Sequence, residues 1–274
     1  MVLETSNVQY INWQRGSTSL LWVSADPGCG RSVLSKSLID QELLTSKTRT
    51  TCYFFFKDDN DAQKRACNAL CALIHQLFTQ KPSLLRHAES VYKVYGTDLK
   101  ESFKPLWDIL ITAAADPEAG EIVCVLDALD ECDESERDHL LDTLCTFYQE
   151  THDGKVDINL KFLVTSRPYH SIQSRFNKVT KKIPKIHLAG EEETETIRKE
   201  IDLVIEDKLN DIKSRLDLNA TTVSSLQGEL SKVEHRTYLW LKLIFDLIDD
   251  DLQNVTKEGR KRIFGSIPDS IDAA

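Results

Sequence analysis

The sequence has no long apolar run, no excess of basic residues and no N-terminal signal. No apolar stretch approaches the roughly 18 residues that a membrane-spanning helix needs, and residues 1–4 show no signal-peptide pattern. Lys and Arg number 34 against 44 Asp and Glu, which gives a net charge of −10. An acidic chain without a basic stripe is poorly suited to nonspecific binding of nucleic acid or membrane surfaces. We therefore expect no membrane span and no nucleic-acid partner.

The cysteines show neither a disulfide framework nor a zinc-binding pattern. Their number is odd, no two are spaced as in a zinc knuckle, and several lie inside apolar runs. Reduced and mostly buried thiols are the interpretation that fits, and it predicts a cytoplasmic protein. The seven residues are Cys29, Cys52, Cys67, Cys71, Cys124, Cys132 and Cys145.

Strand-like apolar segments alternate with helical patterns over the first two-thirds of the chain. The strand-like segments lie at 20–23, 50–56, 121–126, 160–165 and 185–188. Alternation of this kind predicts parallel strands in a sheet that helices cover on both faces. The first part of the chain is therefore expected to be an α/β domain.

The last part of the chain has a different character, because its patterns are almost wholly helical. Helical spacing of apolar residues runs over 191–216, 221–233 and 238–252. A chain of 274 residues has room for one α/β domain and a small second domain. We place the α/β domain at 1–189 and an all-helical domain, expected to be incomplete, at 190–274.

A glycine-containing loop follows the first predicted strand and precedes a helical pattern. It is close to G-x-x-x-x-G-K-[ST], in which backbone amides surround phosphate oxygens because glycine leaves them room. Two positions depart from that pattern, since Ala25 replaces the first glycine and Arg31 replaces the lysine. Alone, such a loop could be an ordinary turn. The candidate nucleotide-binding residues are Asp26, Pro27, Gly28, Cys29, Gly30, Arg31, Ser32 and Val33.

An acidic residue directly follows the apolar segment at 121–126. At the C-terminal tip of a parallel strand, Asp127 would lie beside the phosphate loop, where it and the Ser32 hydroxyl could hold Mg²⁺. Asp130 or Glu131 could then polarise an attacking water. The alternative, a solvated acidic loop over 127–136, suits the outer acids better than Asp127.

A third polar element follows the segment at 160–165. At the mouth of the same sheet, Arg167 could reach a γ-phosphate and report its presence. By itself it would be interpreted as a surface arginine. Three such elements in this order indicate a phosphate site, in which the candidate catalytic residues are Asp130, Glu131 and Arg167.

Taken together, these motifs form a pattern found in one protein class. The blocks that carry it are Trp22-Val23, Gly28-Cys29-Gly30, Ser32-Val33-Leu34, Asp127-Ala128-Leu129-Asp130-Glu131 and Thr165-Ser166-Arg167-Pro168, supported by 53–59, 73–77 and 237–240. They resemble the NACHT domain of the STAND class of P-loop NTPases, and the fungal NOD-like-receptor, nephrocystin-3-like type is the most similar. The resemblance spans residues 13–268.

This resemblance implies a P-loop NTPase fold with a five-stranded parallel sheet in the order 5-1-4-3-2. It implies helices on both faces and a helical domain packed over a bound adenine nucleotide, ATP or ADP, with Mg²⁺. It also implies a switch in which nucleotide state controls conformation and self-association in innate-immunity or programmed-cell-death signalling. The effector and repeat sensor domains that flank such a core would lie outside this chain.

Arginine in place of the loop lysine predicts nucleotide binding with slow or absent hydrolysis. A lysine ammonium is a compact charge that follows the γ-phosphate, whereas the guanidinium of Arg31 is larger, planar and forked. It can still pair with phosphate oxygens. The alternative is a non-catalytic scaffold whose site is empty or permanently loaded with ADP. A metabolic P-loop kinase fits less well, because no lid-like arginine cluster or acceptor motif is found.

Overall fold

The computed structural model of the chain describes residues 8–26, 29–179, 183–188, 194–216 and 220–233, together with 241, 244 and 245. The chain divides into two compact units. The first consists of Met1–Ala25 and Arg31–Leu188, and the second of Asp26–Gly30 and Ala189–Ala274. The packing of a helical domain over a nucleotide stays a prediction, as does the division at 189 and 190 into functional domains.

Five strands in the described part of the first unit form one parallel sheet. They are β1 (Leu20–Ala25), β2 (Arg49–Phe55), β3 (Glu121–Asp127), β4 (Leu160–Ser166) and β5 (Lys185–Leu188). The strand order is β2-β3-β4-β1-β5, and every neighbouring pair is parallel. This is the expected order read from the opposite edge, so the α/β P-loop NTPase fold is confirmed.

Helices lie before and between these strands. Those that the structure describes in the first unit are α1 (Val8–Arg15), α2 (Arg31–Ser37), α3 (Ala66–Gln80), α4 (Arg86–Tyr95), α5 (Phe103–Ala114), α6 (Glu134–His152) and α7 (His170–Val179). Beyond α2 the chain continues as a short π-helix at Leu38–Glu42, and 3₁₀ turns occupy Pro82–Leu85, Gly96–Glu101 and Leu129–Glu131. The sequence patterns indicated α2, α3 and α6 but not α1, α4, α5 or α7.

Both faces of the sheet are covered. Leu20 and Trp22 of β1 point into a large apolar cluster that also contains residues of α3, α5, α6 and α7, and Trp22 stacks on Phe176 with ring centroids 4.6 Å apart. Leu21 and Val23, which point the other way, are also buried. Helix α1 lies against β1 and β5, and α2 lies against β3. Burial on both faces explains why the strands read as continuous apolar runs.

Side chains form hydrogen bonds with the outward-facing backbone groups of the edge strand β2, so that this edge is closed. The Gln76 amide accepts a hydrogen bond from the Tyr53 N–H at 3.0 Å and donates one to the Tyr53 carbonyl at 2.8 Å. Gln80 donates to the Thr51 carbonyl at 3.2 Å, and the Thr45 hydroxyl accepts from the Thr51 N–H at 3.2 Å. With these backbone groups occupied, β2 is a poor template for another strand.

The cysteines agree with the expectation of mostly buried thiols. All seven lie among the described residues, none forms a disulfide, and five are buried. Burial raises the pKa of Cys52, Cys132 and Cys145 to about 12 in each case. These thiols are therefore protonated packing groups.

In the second unit the structure describes α8 (Thr194–Leu216) and α9 (Ala220–Lys232), in agreement with two of the three predicted helices. The third, predicted at 238–252, lies mostly outside the described residues. An apolar cluster joins the two helices, and its buried members are Ile201, Ile205, Leu209, Ile212, Leu226, Leu230, Leu241, Ile244 and Phe245. Among the described residues, no helix has the length and apolar character needed to cross a membrane.

Candidate functional site

The loop predicted to bind phosphate connects β1 to α2. The strand ends at Ala25 and the helix begins at Arg31, so the expected strand-loop-helix order is present. Gly30 has a φ of 71°, in the left-handed region where a side chain would be strained. Asp26 and Cys29 are half-buried, Val33 is exposed, and the predicted residues Pro27 and Gly28 lie outside the described part of the chain.

Three hydroxyl groups converge on the carboxylate that ends β3. Asp127 is 1% exposed. Ser32 donates to its Oδ2 at 2.6 Å, while Ser35 and Thr165 donate to its Oδ1 at 2.5 and 2.6 Å. A buried carboxylate needs such donors, because burial removes its water. The structure thus places the two predicted Mg²⁺ residues, Ser32 and Asp127, in direct contact.

The predicted catalytic residues lie beside this group and contact the loop arginine. Arg31 Nη1 donates to Asp130 Oδ1 at 2.7 Å, and its Nη2 lies 3.5 Å from Glu131 Oε1. The backbone N–H of Arg167 donates to the same Asp130 oxygen at 3.1 Å, and its Nε lies 3.5 Å from Asp130 Oδ2. The Asp130 and Arg31 side chains are 2% and 12% exposed, whereas that of Arg167 is 43% exposed. In this arrangement the loop cation is directed at carboxylates.

Two family models match parts of this chain. Residues 3–167, more than half of the chain, match the family described as nephrocystin 3, N-terminal. The chain belongs to this family. Residues 197–258 of this nephrocystin-3-type chain also match a domain of unknown function.

The vegetative incompatibility protein HET-E-1 of Podospora anserina is a curated relative of the nephrocystin-3-type chain. The two are 25% identical over 249 residues, which cover 89% of this chain but 18% of HET-E-1. Together with the family match, this relative confirms the resemblance to the fungal, nephrocystin-3-like type of NACHT domain. The chain therefore corresponds to a small part of its curated relative.

A solved structure shares the fold of the nephrocystin-3-type chain. It is the ORC2 protein of Aeropyrum pernix, in ADPNP–ADP complexes, with a TM-score of 0.51 and 12% identity. The match covers 95% of this chain and 65% of ORC2. At this identity the likeness shows the fold alone. The family match and the shared fold together support the assignment of this chain as a nucleotide-binding, NLR-like P-loop domain.

The turn after Asp127 in the nephrocystin-3-type chain has an unusual backbone. Ala128 has φ 58° and ψ 45°, a left-handed conformation that costs a residue with a side chain about 1–2 kcal/mol. Two hydrogen bonds hold it, from its N–H to Thr165 Oγ1 at 3.0 Å and from the Glu131 N–H to its carbonyl at 2.8 Å. This turn sets the direction of Asp130 and Glu131, and such strain is often found at functional sites.

The pKa values of two residues of the site, Glu131 and Arg167, are raised. Burial, followed by the nearby Asp130 charge, raises the pKa of Glu131, and Arg31 offsets only part of this. A hydrogen bond to the Tyr169 hydroxyl, 3.3 Å from Arg167 Nη1, raises the pKa of Arg167. Arg167 is thus a permanent cation at the exposed side of the cluster.

Two members of the site, Ser35 and Thr165, were not expected from the sequence. Ser35 lies one helical turn after Ser32, so i, i+3 spacing could have placed both hydroxyls on one face. In the register of β3 and β4, Leu126 is opposite Val164, which puts Thr165 beside Asp127. The strand order together with this register would have been sufficient to find Thr165.

Proposed function

We propose that this chain is the nucleotide-binding switch core of a STAND-class, NOD-like-receptor signalling protein, with ATP or ADP and Mg²⁺ at the loop of residues 26–33. The observation that carries the proposal is the 2.6 Å hydrogen bond from Ser32 to Asp127. A P-loop hydroxyl and a strand-end carboxylate must meet in this way to hold Mg²⁺ on a nucleotide phosphate. Membership of the nephrocystin 3, N-terminal family supports the same conclusion.

The residues present fit Mg²⁺. Ser32 and Asp127 offer the oxygen atoms that this ion prefers, and the Ser32 oxygen keeps free lone pairs while its hydrogen is donated to Asp127. Among the described residues, no group of three or more His, Cys, Asp and Glu could hold a metal. Mg²⁺ usually takes one or two carboxylates and fills its remaining positions with water and phosphate. Bound there, the ion would neutralise phosphate charge.

The contacts of Arg31 support slow or absent hydrolysis. Its guanidinium joins Asp130 and Glu131, the two carboxylates proposed to polarise water. A carboxylate oxygen that accepts a hydrogen bond from arginine has fewer lone pairs left to orient an attacking water. The Nε of Arg31 is also buried without a hydrogen-bond partner among the described residues. We propose that binding and turnover are separable in this site.

The same contacts suggest how nucleotide state would be transmitted. A phosphate that attracts Arg31 competes with Asp130, and Asp130 also accepts the backbone N–H of Arg167. Occupation of the loop would therefore remove Arg31 from Asp130 and change the surroundings of the hydrogen bond that Asp130 accepts at the end of β4. In our proposal this change drives self-association of a longer, cytoplasmic protein that carries effector and repeat sensor domains. Strand addition at β2 is not its route, since that edge is closed.

The biological setting is proposed from the relative. HET-E-1 is named a vegetative incompatibility protein, and we propose a signalling role in programmed cell death or innate immunity for the protein that contains this chain. ATP and ADP are proposed over guanine nucleotides on family resemblance.

Isothermal titration of the full chain with ADP, and with ATP and Mg²⁺, tests the proposed function. We expect the unmodified chain to bind both nucleotides, and Ser32→Ala and Asp127→Asn to lose the part of the ATP affinity that depends on Mg²⁺. Ser37→Ala, on the same helix but outside the cluster, is the matched control and should bind normally. No detectable binding by the unmodified chain would refute the proposal.

A non-catalytic scaffold is the second candidate, and the Arg31 contacts also favour it. Because Asp130 and Glu131 already satisfy the loop cation, the fold does not need a phosphate to balance its charge. Denaturing the purified protein and separating the supernatant by anion-exchange chromatography distinguishes the two. Copurified ADP that exchanges with ATP supports the switch, whereas an empty preparation without affinity supports the scaffold.

A further inference from the structure

The two oxygens of the Asp127 carboxylate are held differently. Oδ1 accepts hydrogen bonds from Ser35 at 2.5 Å and Thr165 at 2.6 Å, whereas Oδ2 accepts one from Ser32 at 2.6 Å. A carboxylate oxygen has about two lone-pair positions. Oδ1 is therefore saturated by protein hydroxyls, and Oδ2 keeps capacity on the side of Ser32.

The two hydroxyls on Oδ1 come from two elements that enclose the end of β3. Ser35 lies on α2, one turn after Ser32, and Thr165 lies at the end of β4, which pairs with β3. Both side chains are buried, at 0% and 1% exposure. Their positions are thus fixed by packing, which is the condition for a hydrogen bond to fix the rotation of a carboxylate.

The Thr165 hydroxyl makes two hydrogen bonds in the site. It donates to Asp127 Oδ1 and accepts the N–H of Ala128 at 3.0 Å. Since Ala128 has the left-handed φ of 58°, the same side chain orients the carboxylate and holds the strained turn behind it. A valine at position 165 would keep the shape but remove both hydrogen bonds.

We propose that Ser35 and Thr165 are positioning residues that hold Asp127 Oδ1, so that Oδ2 and the Ser32 hydroxyl together face Mg²⁺ on the bound nucleotide. This inference rests on the proposed function. It goes beyond it by assigning the Mg²⁺ dependence of binding to two hydroxyls that touch neither metal nor nucleotide. Outer partners of metal ligands act in this way because they fix the ligand's orientation.

The test is the Mg²⁺ concentration that gives half of the Mg²⁺-stimulated ATP binding, measured by titration of the full chain. We expect Thr165→Val and Ser35→Ala to raise this concentration by about tenfold, the effect typical of removing an outer partner. ADP binding in EDTA should change by less than about twofold in both variants, because the phosphate loop is untouched. Thr165→Ser keeps the hydroxyl and should restore the midpoint.

Thr50→Val is the matched control. Thr50 is a buried threonine on β2 whose hydroxyl has no partner among the described residues, so its replacement should leave the Mg²⁺ midpoint unchanged. Melting temperatures identify variants that fail to fold, and Ser35→Ala, the smaller change, then serves as the test. An unchanged midpoint in folded Thr165→Val or Ser35→Ala, or an equal loss of ADP binding in EDTA, overturns the positioning role alone. A lack of nucleotide binding in the unmodified chain overturns the proposed function.

Discussion

Strand β3 begins and ends with a buried or half-buried acid, and the two acids have opposite surroundings. Glu121 at its start is bound by two cations, since Arg49 Nε donates to it and Lys161 Nζ lies 3.0 Å from its Oε1. Asp127 at its end is bound by the neutral hydroxyls of Ser32, Ser35 and Thr165. One end of the strand is therefore closed by ion pairs, whereas the carboxylate at the other end contacts no cation in the part of the chain that the structure describes.

This difference separates stability from function. Burial alone would raise the pKa of Glu121, but hydrogen bonds from Arg49 and Lys161 outweigh it and lower the pKa. The Glu121 charge is thus balanced within the fold by Arg49 and Lys161. Hydroxyl groups instead hold Asp127 without cancelling its charge, which leaves that charge available to a cation such as Mg²⁺. We expect substitutions at the first end to change unfolding, and substitutions at the second to change ligand binding.

The largest expected effect is that of Glu121→Gln. It leaves Lys161, whose side chain is 9% exposed, near Arg49 without a countercharge, and breaking a buried ion pair costs about 3 kcal/mol of unfolding free energy. Urea denaturation measures this loss, and nucleotide affinity of the folded variant should be unchanged. Glu118→Gln, at an exposed neighbouring position, is the control. A stable Glu121→Gln protein with weakened nucleotide binding would reverse the comparison.

The second prediction concerns Arg31→Lys at the other end of β3. An ammonium cannot bridge Asp130 and Glu131 as the guanidinium does, so one carboxylate is released to act on water. We expect ATP hydrolysis to rise about tenfold, equivalent to about 1.4 kcal/mol of barrier, with stability little changed. Phosphate release from the unmodified and Arg31→Lys chains measures it. Rapid turnover by the unmodified chain would contradict the proposed inhibition by Arg31.

The sequence predicted the strands and the three polar loops because each leaves a local signal. An apolar run that ends at Asp127 can be recognised without knowing any neighbour. The pairing of Arg31 with Asp130 could not be predicted, since an arginine suits phosphate and carboxylate equally well and the choice depends on distances set by folding. The contacts of Thr165 needed the register of β4 against β3.

The missed helices have a similar physical cause. Helix α4 (Arg86–Tyr95) contains no fully buried residue. Its apolar residues at 88, 91, 92 and 95 have helical spacing, but a helix of 10 residues is shorter than the stretch over which such a pattern is recognised with certainty. Helix α5 (Phe103–Ala114) has Pro105 in its first turn, a position that proline tolerates but that also marks loops in sequence. Elements that form the sheet core were therefore predicted better than those that lie around it.

The third prediction tests the strained turn at Ala128, which lies between Asp127 and the carboxylates of Asp130 and Glu131. In Ala128→Gly the left-handed conformation loses its steric cost, so we expect the unfolding free energy to rise by about 0.5–1 kcal/mol once the greater freedom of unfolded glycine is subtracted. Ala115→Gly, at a right-handed position with φ −77°, is the control and should lower stability. If both variants lose stability equally, the turn at Ala128 stores no relievable strain.

The smallest expected effect is a pH dependence at Glu131, which sharpens the contrast with Glu121. Because burial and Asp130 raise the folded pKa of Glu131, its ionised form opposes folding at neutral pH, and protonation removes this cost as pH falls through the raised value. Glu131→Gln should therefore stabilise the chain by about 0.5 kcal/mol at pH 7, a size typical of partly exposed charges, and this gain should vanish in acid.

For Glu121 the sign is opposite, because its lowered folded pKa gives stability that is present above the ordinary carboxyl range and lost as pH falls. Urea titrations of both Gln variants from pH 7 to pH 4 (about the ordinary carboxyl pKa) measure the two trends, and parallel trends would show that the two ends of β3 do not differ electrostatically.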